Sequence, residues 1–126
     1  MYRPLFSCTV LATVILLFGF TACGPRPPTG NVVEMNGDMF TRTVLTMPAG
    51  TSVAFTDDVG GATHFLATGT DGKYAPEAGA PKELTTPIGV EIVGGQTLHL
   101  VFTMVGTYHI MCTIHPMMNV TITVKA

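Results

Sequence analysis

Short stretches in which apolar and polar residues alternate begin at Val32 and recur to the end of the chain. An alternation with a period of two is typical of strands that bury one face. We predict six strands: Val32–Met35, Thr41–Met47, Thr51–Thr56, Gln96–Thr103, Thr107–Cys112 and Asn119–Lys125. No segment has a sustained helical period. Residues 32–126 are therefore predicted to form one all-β domain, a Greek-key antiparallel β-sandwich.

The stretch Ala67–Val90 has the weakest pattern. It contains the dipeptide Asp71-Gly72, three prolines and scattered small residues. Because these residues favour turns over long strands, we predict loops with one or two short strands.

An apolar segment, Leu5–Phe20, follows Arg3 and ends shortly before Cys23. It is short for a membrane span and is typical of a secretory signal. Small residues before a cysteine resemble the bacterial lipobox, although Phe20 stands where leucine is usual. We therefore predict a lipoprotein signal peptide over residues 1–22 and a lipid on Cys23. An ordinary signal peptide or an uncleaved anchor remains an alternative, and all three place the domain outside the cytoplasm.

Residues 24–31, Gly-Pro-Arg-Pro-Pro-Thr-Gly-Asn, cannot propagate a helix. A proline-rich segment of this kind is a semi-extended spacer. With Cys23 it forms the predicted tether, 23–31, ahead of the domain at 32–126. We expect the domain to be lipid-anchored to a bacterial membrane, in the periplasm or on the outer face of the cell membrane.

The charge of the chain excludes one class of partner. Arg3 is the one charged residue lost with residues 1–22. The rest of the chain has five basic and eight acidic residues, a net charge of −3. Nucleic-acid-binding domains carry a basic face, so no nucleic-acid partner is expected. We expect a monomer.

Cys112 is the one cysteine left after Cys8 is assigned to the signal and Cys23 to the lipid. An exported domain with a single cysteine has no internal disulfide, and its thiol must be protected or used. A buried, inert cysteine is one interpretation. Metal ligation is favoured because His115 follows three residues later.

Four side chains make up a candidate donor set: His64, Cys112, His115 and one of two adjacent methionines. A thiolate, two imidazoles and a thioether suit a mononuclear copper ion that cycles between Cu(I) and Cu(II). Alternation in Asn119–Lys125, continued backwards, directs Met118 inward and Met117 outward.

The segment Gly106–Met118, with its Cys-Thr-x-His-Pro-x-Met loop, resembles the cupredoxins, the small type 1 blue copper proteins. The loop is most similar to that of amicyanin, with plastocyanins next. The resemblance implies that His64, Cys112 and His115 are strong equatorial ligands and that Met118 is a weak axial one. It also implies one copper ion and a single-electron carrier that is not an enzyme.

Two other histidines compete with His64 for the second imidazole. His99 lies on the outward face of its predicted strand, and His109 has the opposite parity to Cys112. The resemblance places the two strands in opposite sheets, so these histidines cannot share a site. Both are predicted to be surface residues.

The chain departs from the family pattern at two positions. Phe65 stands where an asparagine often ties the two ligand loops together; Thr63 or Thr113 is a candidate replacement, and absence of the bond is the alternative. Met111 precedes the cysteine where plastocyanins often have an aromatic residue used by electron partners.

We expect redox partners to dock near His115, on a patch built from Pro116 and Met117, with Met47 as a further candidate. The alternative function is a copper chaperone or scavenger that carries Cu(I) in the cell envelope. Copper enzymes of this fold need more histidines than the four present, and a binuclear centre needs a second cysteine in the loop.

Overall fold

The computed structural model describes residues 30–58 and 60–126. The predicted signal peptide and lipidation site, and residues 24–29 of the predicted tether, lie outside the described residues. The strands are β1 Val32–Asn36, β2 Met39–Phe40, β3 Val44–Pro48, β4 Thr51–Asp57, β5 His64–Thr70, β6 Lys73–Tyr74, β7 Val90–Ile92, β8 Thr97–Phe102, β9 Gly106–Cys112 and β10 Asn119–Lys125. A single 3-10 turn, Lys82–Leu84, precedes β7.

The strands form two sheets. Sheet 1 has the order β2-β1-β4-β8, and sheet 2 has the order β3-β10-β9-β5-β6, with β7 also paired to β5. The predicted β-sandwich is confirmed, but the sheets are mixed, because β1 runs parallel to β4 and β3 runs parallel to β10. Between β2 and β4 the chain passes through β3 of sheet 2, and β1 and β4 point the same way.

The core lies between the two sheets, where every second residue of most strands faces inward. In β10 the apolar positions are buried and the threonines between them are not, as the alternation predicts. The large side chains that fill the middle are fully or almost fully buried: Phe55, Leu66, Leu100, Phe102, Tyr108, Ile110 and Ile122.

All six predicted strands are present, with boundaries moved by up to three residues. The largest shift is at Thr41–Met47, where β3 begins only at Val44. Residues 41–43 instead carry the chain from sheet 1 to sheet 2, which no local pattern indicates.

β5 is the main element that the sequence pattern missed, since much of it lies in the predicted loop region. It runs in the middle of sheet 2, next to β9. The four residues Leu66–Gly69 are all buried. A strand buried on both faces has no polar side and therefore no alternation to detect.

One end of the sandwich collects the candidate donors. β9 ends there at Cys112, β10 begins there, β4 ends there at Asp57 and β5 begins there at His64. The pairing of Leu66 with Cys112 sets the register of β5 against β9. Within residues 30–58 and 60–126, no helix is long and apolar enough to cross a membrane.

Candidate metal centre

Three donor atoms converge between the sheets. The Sγ of Cys112 lies 3.5 Å from Nδ1 of His115 and 3.8 Å from Nδ1 of His64. The two Nδ1 atoms are 3.3 Å apart. In the part of the chain that the structure describes, no other group of three or more His, Cys, Asp or Glu side chains comes close enough to hold a metal ion.

These separations fit donors that surround one ion. With metal bonds of about 2.0 Å to nitrogen and about 2.3 Å to sulfur, such donors lie about 3.3–3.7 Å apart. A thiolate and two imidazoles in this arrangement, with a methionine close by along the chain, match the donor set of copper electron-transfer sites. The residues present therefore fit a single copper ion.

Cys112 is positioned by β9. It shares the inward parity of Tyr108 and Ile110, and all three are buried. Its thiol is free and fully shielded from solvent. The backbone fixes the end of the strand as well, because the N–H of Cys112 donates to the carbonyl of Met118 (3.1 Å).

The loop between β9 and β10 closes on itself through Met118. The N–H of Met118 donates to the carbonyl of His115 (2.9 Å), so one residue is bonded to both Cys112 and His115 through its backbone. Its side chain is fully buried, whereas that of Met117 is 85% exposed. The inward and outward directions are those that the alternation of β10 predicts, and Met118 is the methionine on the site's side of the loop.

His64 opens β5 and is fully buried. Its backbone pairs with Ile92 of β7, and Leu66 two residues later pairs with Cys112. The imidazole rings of His64 and His115 meet edge to face, with centroids 5.0 Å apart. Sheet pairing, rather than nearness along the chain, brings this ring to the other two donors.

Thr113 ties the two ligand segments together through its backbone. Its N–H donates to the carbonyl of Phe65 (2.8 Å). Its hydroxyl is used elsewhere, because it donates to the carbonyl of Ile88 (3.3 Å).

His99 and His109 lie in different sheets and are both exposed, as predicted. His109 is held by Glu77, whose carboxylate accepts the backbone N–H (2.8 Å) and contacts Nδ1 of the ring (2.7 Å). Neither histidine belongs to the donor cluster.

Four exposed apolar residues lie in the ligand loop or in the loop that is hydrogen-bonded to it. We call Ile88, Ile114, Pro116 and Met117, all exposed, the His115 patch. The prediction that Met47 contributes to this surface is wrong, because its side chain is only 3% exposed in the core. Met111 is fully buried as well, so it offers no contact to a partner.

The sequence analysis did not identify Ile88 and Ile114 as parts of this surface. Ile88 reaches it through the loop that Thr113 binds. The proline and glycine on either side of Ile88 marked a loop, but no local signal placed that loop beside the ligands.

The turn Asp71-Gly72, between β5 and β6, supports the ligand loop from outside. The N–H of Asp71 donates to Oδ1 of Asn119, and Nδ2 of Asn119 donates back to the Asp71 carboxylate (both 2.9 Å). Asn119 also donates to the carbonyl of Pro116 (3.3 Å). Positive φ angles at both turn residues suit an Asp-Gly hairpin turn.

One carboxyl group lies behind the donors. Oδ1 of Asp57 is 3.7 Å from Nε2 of His64, and both side chains are fully shielded from solvent. Loss of hydration raises the pKa of the Asp57 carboxyl. Burial likewise lowers the pKa of His64, and the nearby Asp57 charge opposes that shift. The imidazole of His64 is thus favoured in its neutral form, the form that binds metals.

Comparison with solved structures identifies the fold. No family model matches the sequence, and no curated protein is significantly similar to it. Among solved structures, amicyanin from Paracoccus versutus is similar over 80% of this chain and 86% of its own, with a TM-score of 0.58 and 19% identity. The reduced Cu(I) form of an amicyanin mutant at pH 4 is similar over 80% and 87%, with a TM-score of 0.58 and 20% identity. The predicted cupredoxin fold is confirmed.

Proposed function

We propose that this chain is a single-electron carrier that holds one copper ion on His64, Cys112, His115 and Met118 and works outside the cytoplasm, tethered to a membrane. The observation that carries the proposal is the convergence of two Nδ1 atoms and one Sγ atom within 3.3–3.8 Å. When bound, copper supplies a one-electron couple between Cu(I) and Cu(II).

The chain's own contribution is to keep the donors still. Cys112 and Met118 are bonded backbone to backbone, and His64 is fixed in a central strand. Electron transfer is fast when the donors need not rearrange between oxidation states. A donor set that belongs to two paired strands and one closed loop resists such rearrangement.

His115 is the proposed port for the electron. It is the half-buried donor, whereas His64, Cys112 and Met118 have no exposed surface. The His115 patch surrounds it with apolar side chains, and exposed apolar patches often mark interaction sites. We therefore place the docking of a redox donor and acceptor protein here.

The burial of the donors favours electron transfer over copper delivery. A chaperone must hand its metal to a partner, which requires donors that a partner can reach. Three of the four proposed ligands are sealed inside the sandwich. The exposed thioether of Met117 is the feature that a Cu(I) carrier would use, and rapid transfer of Cu(I) to a chelator from the folded protein would support that alternative.

The proposed tether rests on sequence features of residues 1–31. Mass spectrometry of the mature N-terminus, with detergent partitioning of the full chain expressed in a bacterial host, tests the lipid. Cys23→Ser should abolish both lipid mass and detergent partitioning, and Cys8→Ser should leave them unchanged. Unmodified Cys23 in the mature protein would reject the lipid anchor while leaving the copper proposal standing.

The copper proposal is tested by adding Cu(II) to the metal-free protein. A short thiolate-to-copper bond should give one intense visible charge-transfer band, saturating at one equivalent of metal. Reversible one-electron reduction should bleach it. A colourless complex, or copper held without redox cycling, would overturn the proposal. Zn²⁺ provides a control that fills the same donors without colour or redox chemistry.

A further inference from the structure

A buried carboxyl group lies beside the candidate donors and has no place in the proposed ligand set. Asp57 is the last residue of β4 and is only 2% exposed. Neither of its carboxylate oxygens has a hydrogen-bond partner among the described residues. A polar group buried in this way costs free energy unless something compensates it.

The compensating group is visible across the sandwich. Asp57 belongs to sheet 1, whereas His64 belongs to sheet 2. Their side chains meet in the interior with Oδ1 3.7 Å from Nε2, which is longer than a hydrogen bond. Nε2 likewise has no hydrogen-bond partner among the described residues. The two groups therefore face each other, and Asp58 interacts electrostatically with both.

The orientation of the His64 ring gives this pairing a consequence. Its Nδ1 faces Cys112 and His115, so Nε2 points away from the donors and toward Asp57. A neutral imidazole carries one proton, and the ring nitrogen that lacks it is the metal donor. Metal-bound histidines are commonly held in the correct tautomer by a carboxylate or carbonyl on the other nitrogen.

We infer that Asp57 is a positioning residue for His64: its carboxylate faces Nε2, favours the proton on that nitrogen, and so keeps the Nδ1 lone pair directed at the metal. The inference rests on the proposed function for the identity of the metal. The negative charge of Asp57 also lies behind a metal ligand, where it stabilises Cu(II) more than Cu(I).

The loop after β4 leaves space for this carboxylate. A Cβ at Gly61 would clash with the Oδ1 atoms of both Asp58 and Asp57. A glycine here lets both carboxyl groups lie on the inner side of the loop. Because Asp58 interacts with Asp57 and His64, the control for the loss of one negative charge is Asp38, an exposed acid between β1 and β2.

The first test uses metal-free protein and nitrogen-15 NMR of the histidine rings. The wild type should show His64 with its proton on Nε2, and Asp57→Ala should reduce this preference toward a mixture of tautomers. Asp38→Ala should leave it unchanged. The inference is overturned if Asp57→Ala keeps the wild-type tautomer, or if the wild type itself carries the proton on Nδ1.

The second test measures Cu(II) affinity and reduction potential. Loss of a supporting partner typically costs 10- to 100-fold in metal affinity, and we expect a loss of that order for Asp57→Ala. Asp57→Asn keeps an acceptor but removes the charge, so it should retain the tautomer and raise the potential. A tenfold change in the Cu(II)-to-Cu(I) affinity ratio equals about 59 mV.

Two outcomes separate this inference from the proposed function. If the wild-type copper complex has no charge-transfer band but Asp57→Ala changes the tautomer, the copper function fails and the positioning role stands. If the wild type is blue and Asp57→Ala keeps the wild-type tautomer, the positioning role fails alone. Should Asp57→Ala not fold, the nitrogen-15 spectrum of the metal-free wild type still decides, because a proton on Nδ1 of His64 would overturn the inference.

Discussion

The two segments that supply the donors differ in how far their contacts reach along the chain. The ligand loop, Cys112–Met118, contains three of the four proposed ligands and is closed by two backbone bonds within itself. Strand β5 supplies one ligand, His64, and depends on strands β7 and β9 for its position. One half of the site is local, and the other is built by the sheets.

The halves also differ in exposure. His115 is half-buried under an apolar surface, whereas His64 is sealed between the sheets beside a carboxylate. A partner protein can approach the first, and only the protein interior touches the second. The comparison teaches that the loop supplies the accessible side of the site and the strand supplies its enclosed side.

The largest effect is expected from removing the thiolate in the ligand loop. Cys112→Ser keeps the size of the side chain and both histidines, but it lacks the sulfur that gives charge transfer. The Cu(II) complex should lose its intense visible band completely, measured by absorption spectroscopy. Cys23→Ser, which leaves Cys112 in place, is the control. An intense band that survives in Cys112→Ser would contradict the proposed ligand set.

The next effect separates the two histidines. His115→Gly should leave an opening to solvent that added imidazole can enter, so that the copper spectrum returns as imidazole is titrated. His64→Gly leaves a gap inside the sandwich, and recovery should need far more imidazole or fail. Optical titration of both variants measures this. Equal recovery would show that the two halves do not differ in access.

Leu66 tests how strongly the site depends on β5. Its side chain is fully buried next to the pairing with Cys112, and truncating a buried leucine to alanine typically costs about 2–5 kcal/mol. Leu66→Ala should lower the free energy of unfolding by that amount in denaturant titrations of the metal-free protein. Met117→Ala, a change at an exposed position, should alter it by less than about 0.5 kcal/mol. Similar values for both would refute the assignment of stability to the strand.

The smallest effect on the fold is expected at the patch. Met117→Lys adds a charge to the His115 patch, where two copies would have to meet during electron self-exchange. The exchange rate should fall by about tenfold, equivalent to about 1.4 kcal/mol, with an unchanged spectrum and unfolding free energy. Line broadening in NMR of mixed Cu(I) and Cu(II) protein measures the rate. An unaffected rate would move the docking surface away from His115.

The amino-acid sequence was most informative where contacts are local and where one face of a strand is exposed to solvent. In β10 the alternation gave the boundaries and the inward direction of Met118, because a pleated strand turns successive side chains to opposite faces. Cys112 and His115 are also close in the sequence, so their spacing alone predicts that two of the donors lie near each other. The mixed strand directions were missed because crossings between sheets leave no periodic signal.

What the sequence by itself determined is the sandwich, the ligand loop and the surface positions of His99 and His109. Only the tertiary structure decided the course of β5, the tie from Thr113 to Phe65 and the approach of Asp57 to His64. These contacts join residues that are distant in the chain, and a strand buried on both faces hides its own pattern. Pairing across the sheets, and not the order of residues, therefore completes the metal centre.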